Sequence, residues 1–312
     1  MKITPNTLTL QQLFLVPNEQ FSIPAYQRRY AWGLKQHREF FDDILWLPDG
    51  DSHLFGTVLF LTETHTPGIN VLELVDGQQR ITTLTLLLKA LAKHFEALGD
   101  SENFRDTNKL LFCKGIDGQL RPKLTLGDLD SSDYELLMSD SDPLRVINRH
   151  LADAYSNFTN WVKDLNPEDI RRFYFKLMNC ATVIRLDVAQ AKDAYKLFET
   201  INNRGLKLRP TDIIKNFLLG HASALGEKTL KQVKEDWRAL ITALDQVESD
   251  DFFRQHLSGV LHRKISSSKL VAEFKGYYLN RVKEAEQLTG GEITVSGTVS
   301  DLLALSFRRE VG

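Results

Sequence analysis

Cysteine is almost missing. Cys113 and Cys180 are the only two among 312 residues, which leaves no disulfide framework and no cysteine zinc site, and suits a reducing compartment. A dominant charge is missing too: 39 Lys and Arg stand against 41 Asp and Glu, a formal net charge of −2. That balance excludes a histone-like or tail-driven nucleic-acid binder, though not a local basic groove, because net charge averages over surfaces. The longest apolar runs, around Val58–Leu61 and Leu84–Leu91, fall well short of the ~20 residues a membrane helix needs. The N-terminus has one lysine and no extended apolar core, a poor signal peptide. The expectation is a soluble cytoplasmic protein with no membrane partner. Neither GxxxxGK(S/T) nor GxGxxG occurs, so any nucleotide chemistry is of a different type from Walker or Rossmann sites. There is no internal repeat and no low-complexity tract.

What remains is ordinary globular material. Hydrophobic residues make up 42% and charged residues 26%, enough for a large core and for roughly two domains of ~150 residues. Apolar spacing predicts a short helix over Leu8–Leu15 and an amphipathic helix over Gln36–Leu47. Phe55–Leu61 and Asn70–Val75 are β-branched and apolar, joined by a loop carrying Pro67-Gly68, and read as a hairpin. A helix is expected from about Thr82 through Phe95, with Gly99 as its stop. Residues 100–142 hold ten acids against five basic residues and read as a surface-rich connection or insertion. Beyond Pro143 the pattern is helical, with one strand at Ala181–Asp187. The expected division is 1–100, 101–142 and 143–312.

Three constellations carry chemistry. The first is Asp76-Gly77-Gln78-Gln79-Arg80, between a strand and a helix. A helix start offers free N–H groups and a favourable dipole to an anion. Gly77 allows close backbone approach, Arg80 offers a fork for phosphate, and Asp76 can hold a metal ion, orient a water, or simply cap the helix. The second is Ile23-Pro24-Ala25-Tyr26-Gln27-Arg28-Arg29-Tyr30-Ala31-Trp32. Its aromatics and arginines suit bases and phosphates, or else the rings are core anchors, the better reading for Trp32. The third runs from Leu197 to Asn216 as a helix–loop–helix, with Glu199 and Asn203 on one helix face. Its loop carries Asn203, Arg204, Lys207 and Arg209, and its second helix Asp212 and Lys215. It is either a loop that closes on a polyanion or a structured turn served by Gly205 and Pro210.

Taken together and in this order, the three segments resemble the N-terminal domain family of GmrSD-type modification-dependent restriction endonucleases, with its IPxYQRxYxW, DGQQR and FExxNxRG motifs. The resemblance covers most of residues 8–220. Tyr26, Gln27, Arg28, Asp76, Gly77, Gln78, Gln79, Arg80, Glu199, Asn203, Arg204, Gly205, Asp212 and Lys215 match; Asn202 stands at a variable position. It implies an α+β protein: a ParB/sulfiredoxin-like N-terminal domain whose hairpin leads into the DGQQR helix, then a mostly helical domain. It also implies binding and hydrolysis of an NTP (GTP or ATP) with Mg²⁺. Arg80 and Arg28 would take phosphate, Asp76 the metal or a water, and Gln78 and Gln79 a water or phosphate. Tyr26, Gln27, Gly77 and Asn203 complete the expected nucleotide site, with Arg204 and Lys215 sensing closure. Hydrolysis would gate a nuclease directed at modified phage DNA. The alternative is a non-catalytic module for modified DNA, with Tyr26 and Trp32 stacking and Arg28 and Arg29 on phosphate.

The chain departs from the family in one respect. Its eight histidines, at 37, 53, 65, 94, 150, 221, 256 and 262, form no HNH motif. The nuclease is therefore expected in an HNH-type domain or partner protein elsewhere, and a homo-oligomer is open. Residues 254–283 hold seven Lys or Arg against Glu273 alone, a local excess that could line a phosphate groove or be a solvated helix face.

Overall fold

The computed structural model describes residues 4–62, 65–66, 68–139, 145–202, 209–245 and 247–288. The chain divides into two compact units, Met1–Ala189 and Gln190–Gly312.

In the first unit β1 (Thr4–Thr9) runs into α1 (Leu10–Phe14), whose start is fixed by a capping box between Thr9 and Gln12. Then follow β2 (Glu19–Ser22), α2 (Leu34–Leu45), β3 (His53–Leu61), β4 (His65–Thr66), β5 (Ile69–Asp76) and α3 (Gln78–Ala97). Next come α4 (Ser101–Leu110), β6 (Phe112–Lys114), β7 (Leu120–Pro122), β8 (Leu124–Thr125) and α5 (Ser131–Met138). The unit closes with α6 (Arg149–Lys163), α7 (Pro167–Asn179) and β9 (Ala181–Val188). The fold is α+β.

The main sheet has the order β1-β9-β3-β5-β2-β8, with β4 on β5. It is mixed. β3 and β5 pair antiparallel, the hairpin read from the sequence, while β9 lies parallel to β3 and antiparallel to β1. Strands β1, β2 and β8 escape the period-2 reading because they are short or edge-lying, and pairing rather than pattern defines them. Helix α3 packs against α4 and α6. Fourteen of its twenty residues are buried, so it is a central helix rather than a surface one. It begins at Gln78, four residues before the expected Thr82, because Gly77 turns the chain directly into the helix.

Segment 101–142 is structured differently from the surface connection expected. Thr107, Leu110, Cys113, Leu124, Asp130, Asp133, Tyr134 and Leu137 are all buried. Its acids contribute hydrogen bonds inside the unit as well as surface charge.

At one end of the core sits a layered stack. The Lys123 ammonium lies 5.1 Å above the Phe21 ring, Phe21 lies 4.9 Å from Phe60, and the Arg185 guanidinium lies 5.2 Å from Phe60. Lys123 is fully buried and donates to the Val16 carbonyl at 2.5 Å. Burial lowers its pKa to about 8. Arg185 forks onto Glu19 at 2.8 and 3.0 Å and also holds Asp187 at 2.9 Å.

The second unit is helical in its described residues: α8 (Ala191–Asn202), α9 (Pro210–Ala224), α10 (Glu227–Ala243), α11 (Ser249–Val260) and α12 (Leu270–Leu288), with a 3-10 turn at Ser267–Lys269. Helix α9 packs against α8, α10 and α12. Trp237 and Phe253 stack in its core at 5.6 Å. No described helix is long and apolar enough to cross a membrane.

Candidate functional site

The first unit gathers the DGQQR and IPxYQRxYxW segments at the N-terminus of α3. Strand β5 ends on Asp76, and Gly77 is the N-cap with φ 91°, a left-handed conformation that non-glycine residues avoid. Space demands glycine as well: a Cβ there would lie 2.9 Å from Val58 Cγ1 and 3.3 Å from the Thr57 carbonyl. Gly77→Ala is therefore expected to lose roughly 1–3 kcal/mol of stability, read as a lower denaturant midpoint. A midpoint equal to that of the unsubstituted protein would refute this account. The N-cap residue is Gly77, which has no side chain with which to cap the helix, and the dipole of a helix start favours an anion there.

The three polar side chains after Gly77 divide sharply. Gln79 is committed at both ends: its Oε1 accepts from the Ala31 N–H at 2.8 Å and its Nε2 donates to the Arg29 carbonyl at 3.2 Å. It clamps the 29–31 backbone onto α3. Arg80 Nη1 donates to the Thr57 carbonyl at 2.8 Å. Its guanidinium lies against Gly56, where a Cβ would come within 3.2 Å of Nη2. Gly56 has φ 97° and sits where the β3–β9 register shifts. Burial lowers the Arg80 pKa, and the Asp76 carboxylate opposes that shift. Gln78 differs from both. Its side chain is nine-tenths buried, yet its Oε1 has no hydrogen-bond partner among the described residues.

The second segment is pinned along its length. Tyr26 is 3% exposed and its hydroxyl donates to the Glu73 carboxylate. Gln27 Nε2 donates to the Val75 carbonyl at 3.2 Å. Tyr30 bonds Thr83 Oγ1 at 2.7 Å and His37 Nε2 at 3.0 Å, and Thr83 in turn donates to the Gln79 carbonyl at 2.8 Å. Trp32 packs 6.0 Å from Phe40, the anchor role read from the sequence. Tyr26 is an anchor too, and its buried ring offers no face for a base. Arg28 and Arg29 are half-buried and line a narrow cleft with Gln27, Gln78 and Gln79.

The fourth wall was not anticipated. Asp130, just before α5, is 4% exposed and lines the same cleft. It accepts from the Tyr30 N–H at 2.6 Å and from Asn148 Nδ2 at 2.8 Å, with Arg29 Nη1 at 3.8 Å. Burial raises its pKa, and the Tyr30 and Asn148 hydrogen bonds oppose that shift. Asp133 takes the Ile147 and Asn148 N–H groups at 2.9 and 2.7 Å. Gly127 lets the loop pass close to Pro24-Ala25, since a Cβ there would sit 2.8 Å from the Ala25 Cα. The sequence signal was an aspartate ahead of a helix; its partner Tyr30, a hundred residues away, gave none.

Of the third segment, Asn203, Arg204 and Gly205 lie outside the described residues, as does the side chain of Glu199. Lys215 belongs to the second unit. It is 3% exposed, 3.8 Å from Asp212 on α9. At the start of α9 the Thr211 N–H donates to Asp250 at 2.9 Å, and Arg209 pairs with Glu248. The basic stretch is partly neutralised: Arg254 pairs with Asp251 at 2.9 Å, Arg263 with Glu273, and Lys275 lies over Phe217 at 4.8 Å. Among the described residues no three His, Cys, Asp or Glu side chains converge as a metal site.

Residues 10–219 match the family of the GmrSD restriction endonuclease N-terminal domain. No curated protein matches the chain.

Proposed function

The chain belongs to the GmrSD restriction endonuclease N-terminal domain family, and from that premise we propose that it is the NTP-binding and hydrolysing regulatory part of a system that restricts modified phage DNA. Membership makes it a restriction-system component; the nucleotide, the hydrolysis and the gating of a nuclease elsewhere are this reading. The nuclease would be an HNH-type domain or a partner protein. The observation that carries the reading is that the start of α3, through Gln78, Gln79 and Thr82, lines one cleft with Arg28 and Arg29. A helix dipole and two guanidinium groups together favour a polyphosphate.

The residues present suit Mg²⁺ in a limited way. Mg²⁺ typically keeps several waters and takes one or two carboxylates plus phosphate oxygens. Asp76 is half-buried at the strand end and is the carboxylate this reading assigns to it. The ion would neutralise phosphate charge when bound. Tyr26, Gln27, Gln79 and Arg80 then act by holding the site's walls, as their hydrogen bonds support. The reading extends to a ParB/sulfiredoxin-like first unit, supported by the mixed sheet whose central hairpin feeds α3, and to a cytoplasmic, possible homo-oligomeric protein.

The test is phosphate release from GTP and ATP with Mg²⁺, alongside nucleotide titration. Arg28→Ala is expected to weaken nucleotide binding about tenfold or more, since a charge-assisted contact contributes ~1.5–3 kcal/mol. Absence of both binding and release would end the proposal. Binding of modified DNA without release would favour the non-catalytic module.

A further inference from the structure

The two arginines of the cleft stand on a stretch of chain with no regular structure to hold it. Residues 28–33 belong to no helix or strand, so their backbone groups need partners elsewhere. Three distant side chains supply four of them. Gln79 takes the Arg29 carbonyl and the Ala31 N–H. Asp130 Oδ2 accepts from the Tyr30 N–H at 2.6 Å, and Asn148 Nδ2 donates to the Tyr30 carbonyl at 3.1 Å. Gln79 lies in the DGQQR segment. Asp130 and Asn148 lie in no motif. Resting on the nucleotide reading above, we infer that Asp130 is a positioning residue of the hydrolysis, acting through Arg29 and supported by Asn148.

The first observation is what Asp130 forgoes. It occupies the N-cap of α5, where an aspartate ordinarily accepts from the first turn of its own helix. It makes no such bond. Its carboxylate turns instead to Tyr30 and to Asn148 Nδ2, the latter at 2.8 Å. Asn148 does both jobs: its Oδ1 caps α6 through the His150 N–H at 3.0 Å, while its amide holds Asp130 and Tyr30. Asp133 fixes Asn148 in turn by accepting its N–H at 2.7 Å.

The second observation is the sign of the charge. A carboxylate in the wall of a cleft that takes a polyanion opposes binding, so affinity does not explain it. Asp130 Oδ1 faces Arg29 Nη1 at 3.8 Å, beyond hydrogen-bond reach but close for opposite charges. Arg29 is thus restrained at its carbonyl by Gln79 and at its head by Asp130. A guanidinium fixed beforehand stabilises charge developing on the transferred phosphoryl group with little reorganisation. The benefit falls on turnover, and the cost falls on binding.

The experiment uses the full chain with ATP and GTP and Mg²⁺, below the melting temperature of every variant, and reads saturated turnover and nucleotide affinity separately. Asp130→Asn keeps an oxygen for the Tyr30 N–H and removes the charge facing Arg29. It is expected to lose turnover about tenfold or more. Nucleotide should bind as tightly as before, or up to about threefold tighter, because a repelling charge is gone. Asn148→Ser keeps an oxygen to cap α6 and removes the amide that holds Asp130. It should lower turnover in the same way, which covers the case of a poorly folded Asp130→Asn. The deciding readout is a double-mutant cycle with Arg29→Ala. In the Arg29→Ala protein, Asp130→Asn should change turnover less than about twofold, since the group it positions is absent. A merely structural Asp130 would cost the same factor with or without Arg29, or would lower only the melting temperature. Either result overturns the inference and leaves the nucleotide reading intact. An unsubstituted protein that binds nucleotide and releases no phosphate removes that reading, and the inference with it.

Discussion

Arg185→Ala is expected to destabilise the first unit by about 3–5 kcal/mol, the usual cost of removing one partner from a buried ion pair. The Arg185 side chain is 8% exposed and Glu19's is 13% exposed. Burial works against the arginine's charge, but its bonds to Glu19 and Asp187 outweigh that and hold its pKa above the ordinary value. Without Arg185, Glu19 keeps a carboxylate in the core with the fork gone, and Phe60 loses the cation on its face. Asp187 is 36% exposed and can turn to solvent. The control is Arg185→Met with Glu19→Leu, which strands no charge and should cost much less than the single change. Chemical denaturation of the three proteins checks this. A loss under 1 kcal/mol for Arg185→Ala would falsify the claim that this pair is a principal tie in the sheet.

The second large effect is acid sensitivity through His37. Its side chain is fully buried, with Tyr30 at 3.0 Å on Nε2 and Asn157 at 3.2 Å on Nδ1. Burial lowers its pKa from 6.5 to about 4; the Trp32 backbone and Asp153 pull it up, and His150 pushes it down. In the unfolded chain His37 takes a proton near pH 6.5, and in the folded one only near 4. Between those values the unfolded state binds more protons, so stability falls as the pH falls. The full loss is about 3 kcal/mol, complete only below pH 4. His37→Gln should flatten the stability profile between pH 6.5 and 4 while lowering stability at pH 7. An unchanged acid slope in that variant would mean that other groups carry it. The effect reaches the candidate site, because Tyr30 links His37 to Thr83 and so to the Gln79 carbonyl on α3.

The sequence made the order of the motifs, the β3–β5 hairpin and the apolar body of α3 legible, because local spacing writes all three. The α+β class came from the resemblance that the three segments carry. Three things were not written locally. Gln78 and Gln79 are adjacent identical residues, and only the backbone of residues 29–31 decides that one is a clamp and the other is open. Tyr26 and Arg80 have the chemistry of ligand contacts, yet Glu73 and the Thr57 carbonyl claim them. Asp130 sat in a run of acids that looked like solvated surface, and its burial depends on Tyr30 and Asn148 arriving from either side in sequence. In each case a distant partner assigns the role, and residue type alone cannot.

The position of β9 sets the timetable of folding. This strand comes from residues 181–188 but lies between β1 and β3, which begin at residues 4 and 53. During synthesis, β1 and β3 emerge with their shared neighbour still more than a hundred residues from being made. Until it arrives they present open edges, the feature that invites pairing with other chains. A chain cut at residue 100, where local composition suggests a boundary, would keep the DGQQR segment and lose the strand that joins β1 to the sheet. It is expected to aggregate, whereas a chain carried to Ala189 should stay soluble and fold. The DGQQR site is therefore assembled late, only after the first unit has been almost entirely translated.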